Sequence, residues 1–116
     1  MRRISVASMP VATLVALVAA TPVARAQAKG PSFDCAKAEG EVQQLVCKDE
    51  GLAALDRKLD EVYKAARAKA TKEKPPVLVA EQRGWVKGRD DCWKAEDLRD
   101  CVAREYGARI DELKDR

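Results

Sequence analysis

The chain has 116 residues, with 22 lysines and arginines against 19 aspartates and glutamates, no histidine and four cysteines. Arg2, Arg3 and Arg25 fall in the first 26 residues, which carry no acid, so the remainder holds 19 charges of each sign and is formally neutral. That balance removes the main support for general nucleic-acid or membrane-surface binding.

The N-terminal stretch reads as an export signal. Arg2 and Arg3 form a positive n-region, Val11–Ala20 (VATLVALVAA) an apolar h-region, and Ala24-Arg25-Ala26 a small-x-small cleavage pattern. We expect cleavage after Ala26 and a division into a signal peptide (1–26), a flexible lead-in (27–32) and a folded domain (33–116), with a periplasmic or secreted location. The apolar run is short for a bilayer span, and no stop-transfer segment comes after it. Little besides the two arginines supports a twin-arginine signal. A lipid anchor is not expected, because Cys35 follows Ser32-Phe33-Asp34 rather than small apolar residues at the end of the h-region.

The 90 residues after Ala26 suffice for one small domain, whose core is marginal unless stapled. Four cysteines behind an export signal favour two disulfides. Three connectivities exist; Cys35–Cys47 with Cys92–Cys101 closes two short local loops and is preferred. On one straight helix Cys92 and Cys101 would be about 13 Å apart, whereas a disulfide needs α-carbons within about 7 Å. The chain must therefore fold back between them. A four-thiolate zinc site is the rival reading, but the chain has no C-x-x-C pair and no histidine. No metal or cofactor is expected.

In chain order, Lys29-Gly30-Pro31 marks the lead-in, and Phe33 is expected to pack where the first disulfide anchors the N-terminus. Glu41–Cys47 is a short helix with Val42, Leu45 and Val46 on one side. Asp49, Glu50 and Gly51 interrupt it, and Asp49 can cap the second helix. Leu52 to about Ala70 is the clearest helix, with Leu52, Leu55, Leu59, Val62, Tyr63 and Ala66 at three- and four-residue steps. Thr71–Pro76 is a turn, with Pro76 opening the next helix. Val77 to about Asp91 is the third helix; Leu78, Gln82, Trp85, Val86 and Arg89 share a face. Gly84 and Gly88 within it either admit another helix or are tolerated weak points. Trp93–Asp97 is a turn, and Asp97 caps a fourth helix reaching about Lys114, with Leu98, Cys101, Val102, Tyr106, Ile110 and Leu113 inside. The product is an all-α, disulfide-stapled bundle of one short and three longer helices.

Some polar residues fall on these inner faces: Asp56, Gln82, Arg89, Tyr106 and Arg109. A half-buried carboxylate requires partners, so an ion pair of Asp56 with Arg89 or Arg109 is expected, completed by Gln82 or Tyr106. Such a network either fixes helix register or forms a recognition pocket. Trp85 is expected in the core; Trp93, in the turn beside Cys92, is placed where an aromatic can stand half exposed, and packing on the second disulfide is the preferred role. No catalytic residue is legible. Ser32 is the only serine after Ala26, and the cysteines are committed to disulfides, so no nucleophile pairs with a base.

The ordered set Phe33-Asp34-Cys35 with Lys37-Ala38, Leu45-Val46-Cys47, Leu52/Leu55/Asp56/Leu59/Tyr63, Gln82-Arg83/Trp85/Arg89-Asp90/Cys92 and Cys101/Tyr106/Arg109-Ile110/Leu113 resembles the LprI-type lysozyme-inhibitor domain. Val86 and Gln43 depart from it, where leucine and an acid are usual. The resemblance implies a small exported helical protein without catalysis, whose partner is a protein such as lysozyme or another peptidoglycan hydrolase. An envelope interaction, immunity or assembly module with a different partner is the alternative. Lysozymes of animal type are basic, so acidic surface would assist encounter. The surface expected to meet the partner is the loop between the last two helices: Asp90, Asp91, Trp93, Lys94, Glu96, Asp97 and Asp100.

Overall fold

The computed structural model describes residues 8–17, 30–70 and 75–116. The expected cleavage site at Ala24–Ala26 and most of the turn at 71–74 lie outside the described residues. Residues 8–17, which include most of the apolar run, form no regular structure, and Val11, Leu14 and Leu17 are exposed.

The chain then forms four helices: α1 (Gly40–Lys48), α2 (Glu50–Ala70), α3 (Pro75–Asp90) and α4 (Leu98–Lys114). Short 3-10 turns at Cys35–Lys37 and Asp91–Lys94 precede α1 and link α3 to α4. The described residues contain no strand. Helix α3 starts at Pro75, earlier than its apolar pattern shows, because prolines fit a helix's first turn, where no N–H is needed.

Three aspartates punctuate the chain. Asp34 Oδ1 accepts from the Ala36 N–H at 2.9 Å and sets the first 3-10 turn. Asp49 ends α1 and starts α2: its N–H donates to the Leu45 carbonyl, while its Oδ1 accepts from the Leu52 N–H at 3.0 Å. Asp97 Oδ1 accepts from the Asp100 N–H at 2.9 Å and caps α4. Each satisfies an amide that helix geometry leaves without a partner. Gly40 opens α1 at φ 78°, a backbone region that side-chain-bearing residues rarely adopt.

Cross-links between helices fix their directions. Arg99 Nε meets Asp49 Oδ2 at 2.6 Å at one end, and Lys69 Nζ meets the Arg116 carbonyl at 3.2 Å at the other, so α2 and α4 run parallel. Pairs Gln82–Arg109, Trp85–Glu105 and Arg89–Tyr106 run α3 antiparallel to α4. The core lies between them. Val42 and Val46 of α1, Leu52, Leu59 and Ala66 of α2, Leu78 of α3, and Val102, Ile110 and Leu113 of α4 are all buried. Phe33, Leu55 and Trp85 are partly buried against that cluster.

Both disulfides close local bends. Cys35–Cys47 has its α-carbons 5.9 Å apart, and Cys92–Cys101 has them 5.7 Å apart. None of the four cysteines is free. The Cys92–Cys101 bridge is reached by the fold-back that its spacing demands, through the 3-10 turn and the bends at 95–97. Gly84 and Gly88 have nothing within 4 Å of where a Cβ would stand, so no helix uses them for close approach.

Candidate functional site

Two features qualify: a polar network with an adjoining groove, and the stapled bend between α3 and α4.

The network centres on Tyr106, which is fully buried. Its hydroxyl donates to Asp56 Oδ1 at 2.7 Å and accepts from Arg89 Nη1 at 3.0 Å. Its ring meets that of Trp85 edge-on, with centroids 5.1 Å apart. The expected direct ion pair of Asp56 with Arg89 or Arg109 does not form. The phenol stands between Asp56 and Arg89 and bridges them, and Arg89 turns its Nε and Nη2 onto Asp90 Oδ1 at 2.9 and 2.7 Å. Arg109 is engaged elsewhere: its Nε donates to Gln82 Oε1 at 3.0 Å and its Nη1 to Glu112 Oε2 at 3.0 Å. The five residues therefore form two groups, Asp56–Tyr106–Arg89 and Gln82–Arg109.

Asp56 has a further partner that sequence reasoning missed. The N–H and Oγ of Ser32 both donate to Asp56 Oδ2, each at 2.6 Å, and Arg57 Nη1 donates to the Gly30 carbonyl at 2.9 Å. Residues 30–32, expected from sequence to belong to a flexible lead-in, are tied to α2. No local pattern signals this, since the partners are 24 and 27 positions apart.

Burial pushes the Tyr106 hydroxyl well above the usual phenol range; Arg89 pulls it back and Asp56 pushes it further up. Burial alone would lower the Arg89 pKa, but the Tyr106 and Asp90 oxygens outweigh it and the net direction is up. Neither shift produces a group that titrates near neutral pH, which an acid–base catalyst needs. The arrangement holds helices together and shapes a groove.

That groove lies between the Ser32–Asp34 segment, α2 and α3, with a volume of about 430 Å³. Phe33, Leu59, Tyr63, Trp85 and Val86 supply its apolar lining, and Asp34, Asp56 and Asp60 its carboxylates. Lys37, Gln43, Gln82 and Arg89 complete it.

At the stapled bend the structure gathers Asp90, Asp91, Trp93, Lys94, Glu96, Asp97 and Asp100, and two of them are already engaged by the fold. Asp90 is drawn onto Arg89, and the Asp97 side chain is occupied by its cap. Trp93 does not bury itself on the disulfide. It is 59 % exposed, with the Lys94 ammonium 5.5 Å from its ring centre. Lys94 also pairs with Asp91 at 3.2 Å, Arg104 pairs with Asp100 at 2.9 Å, and Glu96 is exposed.

The fold is thus that of a small disulfide-stapled helical protein. The chain matches the family model described as "Lysozyme inhibitor LprI" over residues 35–113, and it belongs to that family. It is similar to the proteins named "Lipoprotein LprI" of Mycobacterium bovis and Mycobacterium tuberculosis, 39 % identical over 84 residues. The aligned part is 72 % of this chain and 41 % of each relative, so the chain spans well under half the length of the relatives it matches. No solved structure matches it. Among the described residues, no helix is long and apolar enough to cross a membrane.

Proposed function

We propose that this chain is an exported, non-catalytic binding protein that inhibits lysozyme or a related cell-wall lytic enzyme. The observation that carries the reading is the match to the lysozyme-inhibitor family over residues 35–113, which takes in both disulfides and the bend between α3 and α4. Its working parts are a secretory leader cleaved after Ala26, a lead-in at 27–32 and the helical domain 33–116. The Cys35 sulfur is bonded to Cys47 and so is not a lipid attachment point.

The partner-binding surface is the stapled bend. A large aromatic side chain held in water on a covalently braced turn is the kind of anchor that dominates protein–protein affinity. The bridge fixes the bend before binding, which lowers the ordering cost of association. Glu96 adds exposed negative charge beside it, which favours encounter with a basic enzyme, while Asp91 and Asp100 are paired with Lys94 and Arg104.

A turbidity assay tests this: the oxidised domain is added to bacterial cell walls with several lysozymes, and lysis is followed in time. Inhibition without turnover of the added protein is expected. Trp93→Ala should weaken inhibition at least about tenfold, the order expected of a central aromatic anchor, while leaving the helix content unchanged. Absence of inhibition across lysozymes of different types would sink the reading. Inhibition undiminished by Trp93→Ala would move the contact off this surface.

A further inference from the structure

The groove between α2 and α3 goes unused by that surface, and its chemistry has a direction. The Asp56 side chain is buried, yet every hydrogen bond to its carboxylate comes from a neutral donor: the Ser32 N–H, the Ser32 hydroxyl and the Tyr106 hydroxyl. Among the described residues no cation pairs with it directly. Arg89, which also lines the groove, reaches it only through Tyr106 and is clamped by Asp90. Two further carboxylates, Asp34 and Asp60, line the same groove, and Lys37 is the other cation there. Among the described residues Asp60 pairs with Lys64 alone, at 2.9 Å, a contact whose lysine is exposed and which water screens.

The walls are aromatic: Phe33, Tyr63 and Trp85. Two of these rings already carry guanidinium groups of the chain itself. Arg89 stands 5.5 Å from the centre of Trp85, and Arg67, outside the groove lining, stands 5.8 Å from the centre of Tyr63. A planar guanidinium stacks on aromatic faces and forks onto carboxylates, which a compact ammonium does less well. A negative floor and rim between such walls is complementary to that group.

We propose that this groove is a receptor for an arginine side chain presented by a protein partner. The guest guanidinium enters between Tyr63 and Trp85 and hydrogen-bonds Asp60 at the rim, over the Asp56 carboxylate. The proposal extends the reading above without depending on it, because it holds whether or not the partner is lysozyme.

The test uses the full oxidised domain carrying Trp93→Phe, so that Trp85 is the only tryptophan left of the two. Three probes are titrated: N-acetyl-arginine amide, its neutral analogue N-acetyl-citrulline amide, and the trisaccharide of N-acetylglucosamine. Tryptophan fluorescence and amide chemical shifts are followed. Expected are saturable changes with the arginine probe at Trp85, Tyr63, Asp60 and Gln82, and none with citrulline. Asp60→Asn should weaken binding about three- to tenfold, as loss of one charge-assisted hydrogen bond at a partly exposed rim requires. Tyr63→Leu, which leaves every carboxylate in place, should weaken it as well. Equal responses to arginine and citrulline, unchanged affinity in both variants, or shifts at these residues with the saccharide alone would each overturn the assignment.

Discussion

Tyr106→Phe is the most direct probe of what holds the three long helices in register. The substitution keeps the ring, and with it the edge-on contact to Trp85 at 5.1 Å. It removes one oxygen, which bridges Asp56 at 2.7 Å and Arg89 at 3.0 Å in a fully buried position. Hydrogen bonds to charged groups contribute about 1.5–3 kcal/mol each. Neither charge is left without partners, since Asp56 keeps Ser32 and Arg89 keeps Asp90. The lower end of that range therefore applies to each bond, for a total loss of about 3 kcal/mol. For a domain whose whole stability is on the order of 5–15 kcal/mol this is a large fraction. Equilibrium urea unfolding followed by circular dichroism should show the midpoint falling at unchanged slope, and the melting temperature should drop by roughly 12–24 °C. Tyr63→Phe is the control. No hydrogen bond of the Tyr63 hydroxyl is seen among the described residues, so the change should stay within about 0.5 kcal/mol. A loss below about 1 kcal/mol for Tyr106→Phe would refute the claim that the phenol bridge carries the network.

Removing the Cys92–Cys101 bridge by double alanine substitution should cost roughly 2.5 kcal/mol, the chain-entropy value for a loop this short, measured by the same unfolding experiment. Gly84→Ala and Gly88→Ala should each stabilise the domain by about 0.5–1 kcal/mol, because both glycines are helical and a Cβ meets nothing within 4 Å at either. Asp49 supplies a pH signature. The Arg99 hydrogen bond, helped by the Leu52 N–H, holds its carboxyl below the ordinary 3.8. A carboxyl lowered by folding contributes stability that is full above the unfolded value and lost as pH falls through the folded one. Thermal melts between neutral pH and pH 2 should therefore show a small loss from this group beginning below about pH 4, reduced in Arg99→Ala.

The helices are legible in the sequence because their inner faces carry a simple period. Leu52, Leu59 and Ala66 recur at whole turns, and all three are buried. The breaks are legible too, since Asp49 and Asp97 stand where a cap is needed and the disulfide between Cys92 and Cys101 forbids an unbroken helix. The same stripes identify Asp56, Arg89 and Tyr106 as members of the network but do not give its wiring. A carboxylate facing two arginines invites a salt bridge, and only three-dimensional placement shows the phenol lying between them. Ser32 is illegible for a different reason. A lone serine in a glycine- and proline-containing lead-in carries no period, and its bond to Asp56 joins positions 24 apart. Trp93 departs from expectation because a tryptophan beside a cysteine is ordinarily packed on the bridge, whereas here the tight 3-10 turn points its ring outward.

The placement of the covalent and polar ties explains why so few residues leave so much surface free to act. Both bridges sit near the end of the bundle where Asp49 meets Arg99, and the Asp56–Tyr106–Arg89 chain ties the three long helices together further along. Burying such charges rarely adds net stability over well-packed apolar residues, so their value lies in fixing which helix faces meet. If Asp56 sat one helical step away, its carboxylate would lose both Ser32 and Tyr106, and the lead-in would keep only its Arg57 tie to α2 beside the groove. Register, lead-in and groove thus meet at one carboxylate. A substitution there, such as Asp56→Leu, should therefore disturb the groove and the 30–33 segment together while leaving the distant Asp97 cap intact. Amide exchange can show that pattern residue by residue, and protection lost uniformly along all four helices would contradict it.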